Sequence, residues 1–540
     1  SRFFVVMKRP VEFVLFVLVA LMFVQCARRG NPTGGPEDET PPVLIRALPE
    51  LNSTQFDDGR IRLYFDEYIK FNKLKEQLII SPPLPASAYT ISPQGSAAKY
   101  IQIDFGDSLQ ANTTYSFNFG QSIVDNNEGN PYPYFKYVLS TGDYVDSLVV
   151  RGTIGDAFKR DADNFVSVML YAIDSTYTDS IIYKQQPTYL TNTLDSLAQF
   201  EISNARAGQY LLVAQKDVAN NYTFDQQLDK VAFASSFIEL PTDSLYHLDL
   251  FLEQPDFSFG RSFQAGQNRI GFGYTGDPKG IALELATLLP DSVKTIQSFD
   301  KETDTLYFWY KNLQKDSLQF VLTRDTLRKE IVHHLRPEIL DSLTLSASHS
   351  GRLELADSLR ITTNTPILSI DKTQIRLADK DTTAVSFEAV MEDLHSLRIV
   401  FEPLPNDTYQ LELLPGAITD FFESTNDTLQ YRLKTPSRID YGSVYLQVFD
   451  VPSYPIIIQL TNEKEEVVRS LYVTEPQRRY PFLLLEPNKY YVRVIIDENQ
   501  NGIWDPGRYL EKRFPEAVYH YETLLDVRAN WELQERFSLK

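Results

Sequence analysis

The residues best suited to chemistry are the oxygen carriers of one short segment, Asp497-Glu498-Asn499-Gln500-Asn501-Gly502-Ile503-Trp504-Asp505. Asp497, Asn499 and Asn501 hold positions one, three and five, Gly502 suits a tight turn at six, and Asp505 stands at nine. That spacing forms the first part of a loop for Ca2+, a hard cation that takes roughly six to eight oxygen ligands. Position twelve is Arg508 where a bidentate Glu is wanted, so completion needs Glu511 or another carboxylate. The same residues also describe a β-hairpin turn built on Asn and Gly with Trp504 packed beneath it. Of the two readings the hairpin is favoured, and calcium stays open.

A second candidate is the aromatic run Tyr132-Pro133-Tyr134-Phe135-Lys136-Tyr137. If exposed, Tyr132, Tyr134, Phe135 and Tyr137 would stack on sugars or anchor a protein interface; if inward, they are core. Asp66-Glu67 looks like a catalytic carboxylate pair, but neighbours on a strand point to opposite faces and cannot flank one bond. The six histidines are scattered, and only His333-His334 adjoin, which is poor spacing for a shared metal. No His-Glu-x-x-His, Gly-x-Ser-x-Gly or phosphate-cradling glycine loop is present. The expectation is a protein that binds and does not catalyse.

Upstream, Met7-Lys8-Arg9 gives the basic start of an export signal, which places the true beginning at Met7. The unbroken apolar run Phe13 to Val24 fits a signal core and is too short to cross a bilayer core of about 30 Å. It ends at Cys26, the only cysteine. This arrangement resembles the bacterial lipoprotein signal, and the resemblance implies removal of residues 1–25 and a covalent lipid on Cys26. Gln25 stands where that signal prefers a small residue. Residues 26–40, rich in Gly and Pro, read as a tether. Arg28 and Arg29 precede Glu37-Asp38-Glu39, so the sequence leaves open whether the anchored protein faces the periplasm or the cell surface. With one cysteine, stability must come from packed cores.

The formal charge is −20, and loss of residues 1–25, which carry three basic residues and one acidic, leaves −22. Such an excess of carboxylate argues against nucleic acid and against an electrostatic grip on anionic lipid.

Strand patterns dominate the elements that must position these residues. Arg60 to Phe65, Tyr115 to Phe119 and Tyr490 to Val494 alternate, and Thr305 to Tyr310 and Leu318 to Leu322 carry the strand signal mid-chain. The best helix candidate, Asp325 to Leu343, is short and broken by Pro337. Asp-Ser/Thr-Leu recurs ten times and reads as a turn opening into a strand. The class is all-β, a tandem array of β-sandwiches, with roughly three to five domains expected from about 515 mature residues.

Pro41-Pro42-Val43, Leu63 to Ile69, Leu109 to Tyr115, Ile123 to Asn130 and Ser140-Thr141-Gly142, in that order, resemble the bacterial Ig-like domain of surface-layer proteins. This assigns an Ig-like domain to 41–145. Residues 208–225 align on 488–505 without a gap, Tyr210 on Tyr490, Asp217 on Asp497, Phe224 on Trp504 and Asp225 on Asp505. These copies resemble the transthyretin-like sandwich of carboxypeptidase regulatory domains, at 146–255 and 438–540. Residues 256–362 are β-rich without a named motif, and 363–437 read as a further Ig-like β domain. The tether followed by the first module resembles the Ig-like-domain cell-envelope lipoproteins of the Bacteroidota. That resemblance implies anchorage to the outer membrane and a scaffold or accessory role on an outer-membrane protein partner, such as the β-barrel assembly machinery. The other reading is a surface adhesin or glycan-binding lipoprotein.

Overall fold

The computed structural model describes residues 38–106, 109–194, 198–266, 268–336 and 342–540. The signal segment, Cys26 with its lipid, and most of the tether lie outside those residues. The chain is all-β, and it divides into two compact units, the first ending at Val145 and the second running Asp146–Lys540. Among the described residues, no helix is long and apolar enough to cross a membrane.

The first unit is a β-sandwich. One sheet has the order Leu44–Leu48, Arg60–Phe71, Ala98–Phe105, Tyr89–Ser92, with Ile123–Asp125 also on the Arg60 strand. The other holds Ile79–Ser81, Thr114–Asn118 and Lys136–Ser140. Ile61, Leu63 and Phe65 alternate inward and meet Ile101, Ile103, Tyr115 and Phe117 in one core, as the period of two dictates.

In the second unit the two sequence repeats fold by the same pairing scheme. Leu148–Asp156 lies between Gln199–Ala205, antiparallel, and Leu245–Leu252, parallel. Gly442–Phe449 lies between Tyr480–Leu485, antiparallel, and Glu532–Ser538, parallel. Beside these, Gly208–Lys216 pairs with Ser167–Ala172 and Lys230–Phe233. Asn488–Ile496 pairs in the same way with Ile456–Thr461 and Val518–His520. Each copy has its own core, around Leu212 and Leu250 in one and Val492 and Val494 in the other.

Between them sit two further sandwiches, and here two expectations are corrected. Residues 327–334 are not helical. Leu327–His334 pairs residue by residue with Ser317–Arg324 across a tight turn at Asp325, whose φ is +50°. Side-chain periodicity over so short a span did not separate the two states, and cross-strand pairing decided it. The boundary expected at 362/363 falls inside a strand. Leu359–Thr363 pairs with Leu345–Ala347 on one side and Ser396–Val400 on the other. Leu353, Leu359 and Ile361 share a core with Leu377, Tyr409 and Leu411. Leu335 packs with the preceding module, which closes its own core around Phe272, Phe308 and Phe320, whereas Leu345 packs with the next. Every Asp-Ser/Thr-Leu turn among the described residues leads into a strand, with Leu148, Leu245, Thr305, Ser317, Leu327, Leu359 and Leu429 opening theirs.

Candidate functional site

The loop that follows the shared Tyr strand is built alike in both repeats. Asp217 Oδ2 accepts the Tyr222 N–H at 2.6 Å, and Asp497 Oδ2 accepts the matching Gly502 N–H at 2.8 Å. Asp229 takes the N–H groups of Val218 and Asp225 on its two oxygens, at 2.8 and 2.9 Å. Glu516 does the same with Glu498 and Asp505, at 2.8 and 3.1 Å. Short polar side chains close the turn because each satisfies backbone donors that would otherwise be orphaned. Both carboxylates are nearly inaccessible. Burial pushes the Glu516 carboxyl up, against the pull of its three N–H donors, and burial likewise raises Asp217.

Asp229 lies four positions after Asp225, whereas Glu516 lies eleven positions after Asp505. The extra segment, within 506–515, reaches onto the earlier repeat. Tyr509 is fully buried, its ring 5.4 Å from Phe233 and 6.3 Å from Tyr183. Its N–H donates to Glu253, whose other oxygen accepts the Gln226 amide at 2.7 Å. Phe514 stacks on Phe233 at 4.7 Å, Arg508 pairs with Asp256, and Lys512 pairs with Asp179 at 3.4 Å. Beside this insert, Trp504 lies 4.6 Å from Phe158, and the Arg493 guanidinium caps the other contact of that ring at 4.0 Å. Arg160 donates to the carbonyls of Tyr521 and Glu522 at 2.8 and 2.7 Å and stacks over Tyr491. The buried rings of Tyr509 and Phe233, bordered by the half-buried Trp504 and Phe158 and by hydrogen-bonded arginines, have the make-up of an interface centre. The last repeat thus docks on the first.

Two further junctions join the modules between. Trp309 Nε1 donates to Ser298 Oγ at 2.9 Å, Ser298 Oγ lies 3.2 Å from His395 Nε2, and His395 Nδ1 lies 3.1 Å from the Thr363 carbonyl. The carbonyl can only accept, so Nδ1 carries the proton and Nε2 accepts from Ser298. Burial lowers the His395 pKa, which favours this neutral form. Tyr441 donates to Glu354 at 2.6 Å at the next junction.

The structure brings Asp497, Asn499, Asn501 and Asp505 together. Asn499 and Asn501 both turn their amide groups to Asp505 Oδ2, at 2.7 and 2.6 Å, and their own oxygens accept N–H groups within the loop. The side chain that joins them is Glu516. Glu511 instead pairs with Arg508 and Arg513. Trp504 packs outward onto Phe158, with its Nε1 on the Glu516 carbonyl. Among the described residues, no group of three or more His, Cys, Asp or Glu side chains gathers as a metal cluster.

Of the aromatic run, Phe135 and Tyr137 are buried, Tyr137 fully so and donating to the Pro49 carbonyl. Tyr132 packs against Phe65 and Phe135, and Tyr134 alone is 48% exposed. Phe135 and Tyr137 belong to the sandwich core and Tyr132 packs against it, which leaves Tyr134 at the surface. Asp66 accepts the Val43 N–H at 2.8 Å. His333 binds Ser262 and Gln264 while His334 is exposed. Glu516, Tyr509, Phe158 and Arg160 escaped the sequence reading. The one signal that pointed to them is the length difference after the gapless alignment ends at Asp225 and Asp505.

A search of curated proteins finds no match. Among solved structures the chain is similar to BcpA, the major pilin subunit of Bacillus cereus, at 9% identity over 73% of this chain and 99% of that one, with a TM-score of 0.14. It is also similar to domains 1–6 of the surface layer protein SbsC, at 8% identity over 90% of this chain and 67% of that one, again with a TM-score of 0.14. Residues 38–141 match the family model described as the bacterial Ig-like domain, which spans nearly all of the described first unit and supports a modular bacterial surface protein.

Proposed function

We propose that this protein is a non-catalytic scaffold of the bacterial cell envelope, anchored to the outer membrane by lipid on Cys26 and serving as an accessory subunit of an outer-membrane protein complex. The observation that carries the reading is the docking of the last repeat on the first, through Tyr509, Phe514, Trp504 and Phe158. A second unit whose modules are joined by side-chain contacts, with its last repeat fastened back to its first, is suited to holding partners at fixed spacing. The bacterial Ig-like match over 38–141 supports the surface setting. The β-barrel assembly machinery is the complex we put forward.

Purification in gentle detergent by a tag after Lys540 should recover a stoichiometric outer-membrane β-barrel partner. Palmitate labelling of wild type but not Cys26→Ser should accompany it. Recovery of the chain alone would reject the accessory role, and equal labelling of both forms would reject the anchor.

A further inference from the structure

The outward face of the first unit's larger sheet carries an ordered array of arginines and tyrosines. Register fixes the rows: Arg46 opposite Tyr64, and Tyr64 opposite Tyr100. One step along, Leu48 faces Arg62, and Arg62 faces Gln102. Beyond that, Arg60 faces Asp104. Residues two apart on a strand share a face, so rows recur at about 7 Å. The residues between, Ile61, Leu63, Ile101 and Ile103, are fully buried, which fixes this set outward.

The face is both aromatic and positively charged. Tyr64 and Tyr100 lie 5.9 Å apart, tilted by 43°, with Tyr100 42% exposed. Asp104, paired with Arg60, is held below the usual carboxylate range by Gln102 and then Arg60, and Asp66, two residues beyond Tyr64 on the same face, accepts the Val43 N–H with Lys99 on its carbonyl. Arg62 is oriented by Gln102 at 2.8 Å. Three arginines against these two carboxylates leave the face net positive on a chain of −20, with Arg46 and Arg62 outside the Arg60–Asp104 pair. At physiological salt, charges beyond a Debye length of about 8 Å are largely screened, so a ligand on this face meets the local arginines first.

We propose that this face binds an acidic polysaccharide, with uronate sugars as the ligand class. Guanidinium groups match carboxylates in a two-point geometry, and tyrosine faces accept the apolar C–H face of a pyranose ring. A peptide strand would seek a sheet edge and apolar pockets, and the middle of this sheet offers neither. A nucleic acid would need far more positive charge than two arginines supply.

The test uses the full chain and gel-retardation against three immobilised polymers: polygalacturonate, uncharged dextran and poly-glutamate. Expected is retardation by polygalacturonate alone, weakened by salt. Arg46→Glu with Arg62→Glu should weaken it about tenfold or more, and Tyr64→Ala with Tyr100→Ala should weaken it at unchanged charge. Urea unfolding of both variants must match wild type, and Arg46→Lys with Arg62→Lys, which keeps charge but loses the fork, should fall between. Equal retardation by poly-glutamate would show charge alone is read and overturn the sugar assignment. No retardation by polygalacturonate, or retardation that the variants leave unchanged, would overturn the site.

Discussion

Asp229 and Glu516 occupy the same position in two copies of one loop, each binding the N–H that opens the loop and the N–H that ends it, although one lies seven residues further along its chain than the other. The carboxylate is kept while the backbone between is free to lengthen, and the lengthened copy makes the docking contact.

Removing either carboxylate should open its loop. Asp229→Ala removes the acceptor of the Val218 and Asp225 N–H groups and one of the two acceptors of the buried Gln215 amide, and should cost about 1–3 kcal/mol in all. Urea midpoints should fall with unchanged slope. Glu516→Ala should in addition loosen Trp504, read as a shift of its emission, and a wild-type midpoint for either variant would contradict the account. Glu516→Gln should respond differently with pH. Because the folded carboxyl is raised, wild type is favoured below the unfolded Glu value and loses that advantage as pH rises through the folded value.

Asp125 works in the opposite sense. It is buried, and burial alone would raise its pKa, but it accepts N–H groups from Asn127, Glu128, Gly129 and Asn130, and the net effect lowers it. Its contribution to the first unit is therefore present above the unfolded Asp pKa, near 3.9, and is lost as pH falls through the folded value. Asp125→Asn should destabilise at pH 7 and flatten the acid limb of the stability curve. An acid limb identical to wild type would count against it.

Tyr509→Ala removes a fully buried ring from the docking contact and should cost roughly 3–5 kcal/mol there. Calorimetry should show the last repeat melting separately, and limited proteolysis should cut near 506–515. Phe158→Ala should give the same phenotype, and the double variant should cost less than the two losses together. Additive effects would mean the two aromatic contacts hold independent surfaces.

His395 couples acid to one module junction. Its neutral form links Ser298 and Thr363, with Asp393, Asp300 and Arg269 as the charged groups that bear on it. The folded pKa is lowered, so stability is present above the unfolded value near 6.5 and falls as pH drops toward the folded value. In a Trp504→Phe, Trp531→Phe background, Trp309 emission should change over that window, and His395→Gln should abolish the change.

Much of this was legible in the sequence, and for identifiable reasons. Alternation at Ile61, Leu63 and Phe65 fixes which face is core, and the Tyr210 and Tyr490 strands announce a repeat that the pairing scheme bears out. Turns at Asp-Ser/Thr-Leu were readable because an Asp side chain stabilises a turn locally. What depends on distant contacts was hidden. The Leu327 strand owes its state to pairing with Ser317–Arg324, the module boundary near 336 carries no compositional mark, and the aromatic run at Tyr132 could not be assigned to core or surface before its sandwich partner was known. Glu516 joins the Asp497 loop from beyond an insertion, where a spacing rule cannot reach.

The parallel pairing in the first repeat has a mechanical consequence. Its opening strand and its closing strand run side by side from Leu245 opposite Arg151 to Leu250 opposite Asp156. Tension applied between the segments entering and leaving this module would slide those strands along each other, so the bonds between them would have to give together and not peel one by one. Such a module yields by its unfolding rate under load, and the opening and closing strands of this repeat form the bolt that a pull must shear.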